Sequence, residues 1–272
     1  MNWLIYLLVL PAVVAAVYFG LPRALHALGL HPSYNIPSVD LSGKRALVIT
    51  TSHGTLGETG KPTGVFGSEM SVPYFVFQDA GMEVDIASIQ GGEVPVEPYS
   101  MGWPLATPED RRFKADPTAM AKLKNSLPIA HIDPNDYDVL FMAGGWGAAY
   151  DLAQSDVLAD LITQANASNK ILSSVCHGAL GLVSAKAENG SPLIEGRRVT
   201  GVTDRQIKQL GIQVTPKHPE TEMRKLGARF EANTARIEML ATHVVVDGNI
   251  VTGQNQNSGY ETAARVLELL KT

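Results

Sequence analysis

Cysteine is nearly absent from this chain of 272 residues, which contains only Cys176. A single cysteine excludes an intrachain disulfide and any metal site built from several cysteines. The seven histidines show neither HxxxH nor HExxH spacing, so a structural metal is not expected. The patterns GxGxxG and GxxxxGK[ST] are also missing, and the sequence therefore predicts no nucleotide cofactor and no metal.

Blocks of basic residues are missing too. The net charge is −5, the pI is about 5.8, and no stretch interleaves basic with aromatic residues. Nucleic-acid binding is therefore not expected. With 45% hydrophobic and 18% charged residues, the composition is that of a folded globular protein. A homodimer is a possible assembly, because two-fold dimers are the commonest oligomers of soluble proteins.

Charged side chains are absent from residues 3–21. A helix rises 1.5 Å per residue, so about 19 residues nearly cross the hydrocarbon core of a bilayer. The sequence therefore predicts a transmembrane anchor over residues 1–22. The alternatives are a buried core helix or a cleaved signal peptide, although the positively charged start of a signal peptide is missing.

The orientation of this anchor follows from the basic residues around it. No Lys or Arg precedes the apolar stretch, whereas Arg23, Lys44 and Arg45 follow it. The positive-inside rule then places the C-terminal part of the chain in the cytoplasm. Residues 23–42 contain prolines without an apolar period and are interpreted as a linker, followed by one domain over residues 43–272.

Strand-like and helix-like segments alternate from Lys44 onward. The segments "RALVITTS", "MEVDIAS", "YDVLFMAGG" and "KILSSV" are typical of strands, and helix-like segments follow them, including "GALGLVSAK" after the last. Residues 91–113 are interpreted as a long loop. The alternation predicts an α/β fold: a flavodoxin-like, doubly wound, mostly parallel sheet with helices on both faces. Loops that follow Ser52, Ala143 and Val175 are expected to meet at the carboxyl edge, where such folds bind ligands.

Cys176 follows one of these predicted strands directly, and His177, Gly178 and a helix-like stretch come after it. A sharp turn between strand and helix would form a nucleophile elbow that lifts the thiol above the sheet. The N-terminus of the helix would favour the reactive thiolate. The alternative is a buried cysteine that only fills the core.

Four further residues are candidates for the same site. His177 can move a proton near neutral pH, or it can cap the helix. Glu69 lies early in a predicted helix; it can enter the site with a raised pKa, or it can simply complement the helix dipole. Gly144 and Gly145 end a strand and can present N–H groups to an oxyanion, or they can form an ordinary turn.

Several motifs in a fixed order carry a family resemblance. They include "ALVITTSHGTLGETGKPTGVF", "YDVLFMAGGWG", "SSVCHGALGLV" and "THVVVDGNIVTGQN". From about Lys44 to the C-terminus the chain resembles the ThiJ/PfpI superfamily, within the class I glutamine amidotransferase-like fold. It is most similar to the branch of heat-shock chaperones and glutathione-independent glyoxalases (glyoxalase III).

The resemblance implies roles for individual residues. Cys176 matches the elbow nucleophile, His177 the histidine that follows it, and Glu69 the glutamate that hydrogen-bonds the thiol. Gly145 matches the glycine on the oxyanion side. Trp146 stands where the branch usually has a histidine, and with Gly145 it is expected to contact the substrate.

The acid that usually orients the histidine is a second departure. The branch usually has acidic residues shortly after "VTG", where this chain has Gln206, Ile207 and Lys208. Asp204 is the nearest carboxylate in the sequence and is a candidate substitute. A histidine without an acidic partner is a poorer base, so a weakened or altered activity is possible.

The resemblance implies an enzyme of the lyase (dehydratase) type that converts 2-oxoaldehydes such as methylglyoxal to 2-hydroxy acids such as D-lactate. It would use Cys176 without glutathione, metal or another cofactor. A stress chaperone or a cysteine redox sensor of the same superfamily is the first alternative. A hydrolase or amidotransferase-like protein is the second, and it rests on fold analogy alone.

Overall fold

In the computed structural model of the protein, the apolar segments that follow residue 44 form strands. The structure describes residues 3–212 and 214–271, with side chains from residue 9 onward. The strands are β1 (Arg45–Thr50), β2 (Glu83–Ser88), β3 (Leu127–Pro128), β4 (Val139–Met142), β5 (Ile171–Val175), β6 (Arg198–Val199), β7 (Arg229–Phe230), β8 (Val244–Asp247) and β9 (Ile250–Gly253). The α-helices are α1 (Trp3–Ala27), α2 (Gly67–Asp79), α3 (Pro108–Ala115), α4 (Pro117–Lys124), α5 (Ala148–Asp151), α6 (Asp156–Ala167), α7 (Asp204–Leu210), α8 (Pro219–Lys225) and α9 (Gly259–Leu270).

Seven of the strands form one sheet in the order β3-β2-β1-β4-β5-β9-β8. All neighbours in it are parallel except the hairpin of β8 and β9. Strands β6 and β7 pair separately as a small second sheet. The prediction of an α/β fold with a mostly parallel sheet is confirmed.

Both faces of the sheet are apolar because helices cover both. Along β1, Ala46 and Val48 belong to one buried cluster, whereas Leu47 and Ile49 belong to the other. Helices α2 and α9 contribute to the first cluster, and α6 contributes to the second. Burial on both faces explains why the strands are continuous apolar runs rather than alternating patterns.

The strand order determines where the candidate site forms. Strands β1, β4 and β5 are neighbours, so the segments that leave their carboxyl ends emerge side by side. This places the loop after Thr50, the glycines after Met142 and Cys176 at the same edge of the sheet, where ligands bind in such folds.

One local prediction is wrong. The predicted loop over residues 91–113 contains the start of α3, which Thr107 begins through a capping box with Asp110. The helix predicted after Cys176 is present, as a 3₁₀ helix over Cys176–Leu182. It packs closely on the sheet, since a Cβ on Gly181 would lie 2.6 Å from Sδ of Met142.

Helix α1 extends beyond residue 22 to Ala27. Its segment Val9–Ala27 is long and apolar enough to cross a membrane, and none of that segment is buried. It is therefore not a core helix, but length and composition alone do not separate an anchor from a signal sequence. The proposed boundaries at residues 22 and 42 stay predictions.

The chain after α1 is attached to the rest of the protein. His31 is buried, and its backbone N–H donates to Oδ1 of Asn257 at 2.8 Å. The side-chain amide of Asn257 in turn donates to the carbonyl oxygen of Gly29 at 2.9 Å. The beginning of the predicted linker is thus held against the sheet domain next to α9.

Candidate active site

Cys176 sits at a strained turn directly after β5. Its φ angle is +57°, a conformation that residues other than glycine rarely adopt. Gly178 permits this turn, because a Cβ there would lie only 2.1 Å from the carbonyl oxygen of Met142. The arrangement of strand, strained cysteine and helical turn is the geometry of a nucleophile elbow. The residue is 9% exposed, so the thiol lies in a nearly closed site.

Glu69 reaches the thiol from the first turn of α2. It is 1% exposed, and its carboxyl group hydrogen-bonds the side chain of Cys176. Gly144 makes this approach possible, since a Cβ there would lie 2.5 Å from Oε2 of Glu69 and 2.7 Å from the amide nitrogen of His177. Three separate elements therefore converge on one carboxyl–thiol pair.

Burial controls the protonation of Glu69. Removal from water, together with the charge of Glu97, raises the pKa of Glu69 from 4.5 to about 8, although the amides of Gly144 and Gly145 and the Cys176 thiol oppose the rise. Its Oε2 atom has no hydrogen-bond partner. Glu69 is therefore mostly protonated at neutral pH and is placed to donate or accept a proton.

The thiol is also held in its neutral form in the closed site. Burial, followed by the charge of Glu69, raises the pKa of Cys176 well above its usual range, while the amides of His177 and Gly145 favour the anion. The elbow amides thus favour the thiolate, as expected from the sequence, but burial and Glu69 outweigh them. A short 3₁₀ turn does not offset the loss of hydration, so the pair must lose a proton before the sulfur can attack.

His177 also contacts the sulfur. Its Nδ1 is 3.6 Å from Sγ of Cys176, and Trp146 packs on the imidazole with ring centroids 4.8 Å apart. Burial, and then the charge of nearby His218, lower the pKa of His177 from 6.5 to about 3. The ring is neutral at physiological pH, and its buried Nε2 has no hydrogen-bond partner.

Gly145 occupies a position that only glycine fits. Its φ is +99°, and a Cβ there would lie 2.3 Å from the carbonyl oxygen of Gly64 and 2.4 Å from the amide nitrogen of Phe66. The amide of Gly145 lies close enough to favour the anions of both Glu69 and Cys176. The structure thus brings together the five residues to which the sequence assigned catalytic or binding roles: Glu69, Gly145, Trp146, Cys176 and His177.

The site lies in the part of the chain that matches a known protein family. Residues 63–269 match the model of the DJ-1/PfpI family, and this match includes every residue of the site. The chain belongs to the DJ-1/PfpI family. The resemblance to the ThiJ/PfpI superfamily seen in the sequence is thereby confirmed.

Relatives of this DJ-1/PfpI chain include proteins named as glyoxalases. It is 30% identical over 237 residues to the probable glutathione-independent glyoxalase SNO4 of Saccharomyces cerevisiae, covering 85% of this chain and 99% of the relative. The crystal structure of glyoxalase III from Candida albicans has a TM-score of 0.75 at 29% identity, covering 83% and 96% of the two chains. The structure of Rapid Encystment Protein 24 KDa of Francisella tularensis has a TM-score of 0.78 at 29% identity, covering 84% and 99%.

Asp204 does not contact His177 directly in this family member. Its Oδ1 lies 3.6 Å from Nδ1 of His218, and its Oδ2 accepts a hydrogen bond from Oγ1 of Thr221 at 2.7 Å. Gln206, at one of the positions where the branch usually has an acid, instead completes the capping box of α7. Sequence reasoning missed His218, which lies in a loop before α8 and belongs to no recognisable motif.

His218 approaches the elbow through the residue that follows it. Pro219 and the carbonyl oxygen of Cys176 both lie next to Gly201, where a Cβ would be 3.1 Å from Cβ of Pro219 and 3.2 Å from that oxygen. The charge of His218 also acts on His177. A second histidine, paired with Asp204, therefore stands beside the first. Among the described residues, no cluster of three or more His, Cys, Asp or Glu could hold a metal ion.

Replacing Gly144 with alanine is expected to disturb this DJ-1/PfpI site more than the fold. The new Cβ would collide with Glu69 and with the elbow amides. Overpacking of this kind costs about 1–3 kcal/mol, and a displaced catalytic group can lose roughly 100-fold in rate. Urea unfolding and turnover would measure the two effects. Gly259→Ala is the matched control, because its Cβ would meet only Val72 at 3.9 Å, and both quantities should stay near those of the parent.

Proposed function

We propose that this protein is a cysteine-dependent, glutathione-independent glyoxalase that converts methylglyoxal to D-lactate. The observation that carries the proposal is the buried pair of Glu69 and Cys176, hydrogen-bonded at a strained elbow. A proton shuttle beside a nucleophile is what an internal redox reaction of an aldehyde requires. The similarity to proteins named as glyoxalases supports the same function.

The first step is attack of the sulfur on the aldehyde carbon. The thiol proton passes to Glu69 or to Nδ1 of His177, and the sulfur forms a C–S bond as the C=O π bond breaks to leave an alkoxide. The protonated base then returns that proton to the oxygen, which gives the hemithioacetal hydroxyl. The amide of Gly145 is placed to stabilise the oxygen that becomes negative. Trp146, whose indole packs on the imidazole of His177, is the residue expected to limit the space to a small aldehyde.

The second step moves hydrogen from one substrate carbon to its neighbour. A base, Glu69 or His177, removes the proton of the former aldehyde carbon to give an enediol, and a proton then returns to the adjacent carbon. The aldehyde carbon is oxidised to a thioester while the ketone carbon is reduced to an alcohol. Water then hydrolyses the thioester, which releases the 2-hydroxy acid and restores the thiol. The electrons stay within the substrate, so this scheme needs neither an external oxidant nor glutathione.

The test is lactate formation by the full-length protein from methylglyoxal, without glutathione. We expect lactate that is mainly the D-enantiomer, measured with enantiomer-specific dehydrogenases. The Cys176→Ala variant is the control for spontaneous or contaminating activity. Lactate formed equally by both proteins, or by neither, would contradict the proposal.

The rate is expected to rise with pH around the titration of the carboxyl–thiol pair. Burial raises the pKa of Glu69 to about 8, so below that pH the pair holds both protons. Above it the pair loses one proton, and the singly protonated pair can supply a thiolate. The value of kcat/KM should therefore increase between pH 6 and pH 9.

A pH profile of kcat/KM measures this effect. Glu97→Gln provides a directional control, because the charge of Glu97 raises the pKa of Glu69 and its removal should shift the inflection to lower pH. A rate that does not change between pH 6 and pH 9 would be inconsistent with the singly protonated pair as the reactive form.

We further propose that His218 and Asp204 replace the acid that usually orients the histidine. The motivating contact is the 3.6 Å separation of Asp204 Oδ1 from His218 Nδ1, next to a His177 whose Nε2 lacks a partner. The pair is an ion-pair contact between partly exposed side chains rather than a hydrogen bond, and such pairs contribute about 0.2–1 kcal/mol. Asp204→Asn should therefore lower kcat roughly two- to five-fold, with little change in KM. Steady-state kinetics measures kcat and KM separately. Asp156→Asn, at the start of α6 and away from the site, is the control, and equal rates in all three proteins would remove Asp204 from the mechanism.

For the location of the protein we propose a single membrane anchor formed by α1, with the catalytic domain on the cytoplasmic side. The length and hydropathy of Val9–Ala27, and the fact that none of its residues is buried, support this. A homodimer also stays a proposal. Carbonate extraction of membranes, followed by protease protection, would test both the anchor and its orientation.

The alternative of a cysteine redox sensor is less well supported. Sensor cysteines are accessible and have a low pKa, whereas Cys176 is 9% exposed and its pKa is raised. A chaperone remains testable by suppression of client aggregation, which should survive Cys176→Ala if it does not depend on the site. The amidotransferase-like alternative has no observation in its favour beyond the fold.

A further inference from the structure

A groove lies between the end of α1 and the segment that leads into α3. Its volume is about 850 Å³, and none of the five candidate site residues lines it. Its walls combine aromatic with basic side chains, among them Tyr18, Arg23, His31, Trp103 and Arg111. These five residues define what we call the helix–loop groove.

The two arginines of the groove are not neutralised by acids. Arg23 donates to the carbonyl oxygen of Phe19 at 2.6 Å, and Arg111 donates to that of Ala106 at 2.8 Å. Neither forms an ion pair with a carboxylate among residues 3–212 and 214–271. A free guanidinium binds phosphate oxygens in a bidentate manner, so the charge of the groove suits a phosphorylated anion.

His31 adds a buried polar group without a partner. The residue is 9% exposed, and neither ring nitrogen makes a hydrogen bond, although carbonyl oxygens of Leu105 and Gln256 lie nearby. Buried polar atoms are nearly always hydrogen-bonded in folded proteins. The imidazole of His31 lines a basic cavity and is therefore placed to donate to a ligand bound there.

The surroundings of the groove are those of a membrane surface. Trp103 stacks on Tyr18, with ring centroids 5.8 Å apart and planes 5° from parallel, and its indole N–H donates to the Tyr18 carbonyl oxygen at 3.0 Å. Tyr99, in the same segment as Trp103, is 81% exposed. Large aromatic side chains of this kind are enriched where a protein meets lipid headgroups.

We propose that the helix–loop groove binds the phosphate headgroup of an anionic phospholipid from the bilayer in which α1 lies. Arg23 and Arg111 contact the phosphate, and His31 donates to an oxygen of the headgroup. The exposed apolar side chains of α1, among them Val9, Val13 and Val17, continue from the groove and accommodate the acyl chains. This inference rests on the proposed membrane anchor and not on the aldehyde chemistry.

A lipid suits the groove better than a soluble phosphate because of the remaining walls. Tyr18, Phe19, Leu30 and Trp103 line it together with the arginines, and a free phosphate would leave these apolar surfaces without a partner. One acid, Glu109, lies nearby, but it accepts a hydrogen bond from the Tyr260 hydroxyl and lines a separate pocket. Glu109 is therefore engaged by the hydroxyl of Tyr260, which itself lines the groove, and does not line the groove directly.

The test measures lipid binding to the full-length protein in mild detergent, without aldehyde. Phosphatidylglycerol and phosphatidylcholine of equal chain length are titrated, and bound lipid is counted by native mass spectrometry. We expect one phosphatidylglycerol per protein, bound at least five-fold more tightly than phosphatidylcholine. Each basic side chain near an anionic lipid contributes about five-fold, so the double variant R23Q/R111Q should bind roughly 25-fold more weakly.

R229Q/R236Q is the matched control, because it removes the same charge from two exposed arginines outside the groove. His31→Phe keeps an aromatic ring while it removes the donor, and it should weaken binding several-fold. Equal binding of the two lipids, an equal loss in the control, or displacement of the lipid by inorganic phosphate at similar concentration would each overturn the proposal. Lactate formation is measured separately, so failure of lipid binding does not bear on the glyoxalase activity.

Discussion

Replacing Cys176 with alanine is expected to lower kcat/KM for methylglyoxal by at least about 1,000-fold, because no other side chain in the site can form the covalent intermediate. The chain contains no second cysteine that could take over this role. Lactate release at saturating methylglyoxal, measured against the parent protein, gives the ratio. A Cys176→Ala variant that keeps more than a tenth of the parent activity would remove the thiol from the reaction.

A loss of activity caused by the missing thiol has to be distinguished from one caused by a distorted backbone at residue 176. Cys176 has a φ of +57°, and alanine at that position keeps the same backbone cost, so the thermal midpoint should change little. The parent protein, quenched during turnover, should carry a mass increase equal to one methylglyoxal on the peptide that contains Cys176. The absence of this adduct in the parent, with normal lactate formation, would favour direct proton transfer without a covalent intermediate.

Replacing Glu69 with glutamine is the second large effect we expect. Glutamine has nearly the same shape but cannot accept or release a proton, and general acid–base groups contribute roughly 100- to 10,000-fold. The value of kcat should fall within that range, and the rise of kcat/KM around pH 8 should disappear, because the titrating carboxyl group is gone. Steady-state kinetics across pH 6 to 9 measures both.

The buried position of Glu69 makes its replacement informative about chemistry rather than stability. Its carboxyl group is 1% exposed and already neutral at pH 7, so an amide of the same size should not reduce the thermal midpoint. Glu188→Gln, which neutralises an exposed carboxylate, is the control and should leave kcat unchanged. A Glu69→Gln variant with normal kcat would assign the proton transfers to His177 alone.

The closed site also explains why Trp146 matters. The branch that this chain resembles usually has a histidine at that position, whereas here an indole packs on His177 with ring centroids 4.8 Å apart. An apolar wall keeps the imidazole dry, which agrees with the lowered pKa of His177. In the proposed mechanism, the proton transfers therefore involve mainly Glu69 and Cys176.

The sequence by itself determined the class of fold and the core of the site. Apolar runs separated by helix-like segments predicted the parallel sheet, because strands covered on both faces need no polar alternation. The motifs around Glu69, Gly145 and Cys176 were readable since each stands at the end of a strand or the start of a helix. The start of α3 was also encoded, as the capping box of Thr107 and Asp110, but it was overlooked inside a loop rich in Pro and Gly.

Tertiary structure alone decided the protonation states and the partners of the histidine. The pKa values of Glu69 and Cys176 depend on how completely the surrounding segments, which are far apart in the sequence, exclude water from the pair. No local sequence pattern predicts that exclusion. The proximity of His218 and Asp204 to the elbow, and the groove between α1 and residues 103–111, likewise arise from contacts between parts of the chain that are far apart in sequence. Residue types and their order specify which reactive groups are available, whereas packing determines the protonation states in which these groups act.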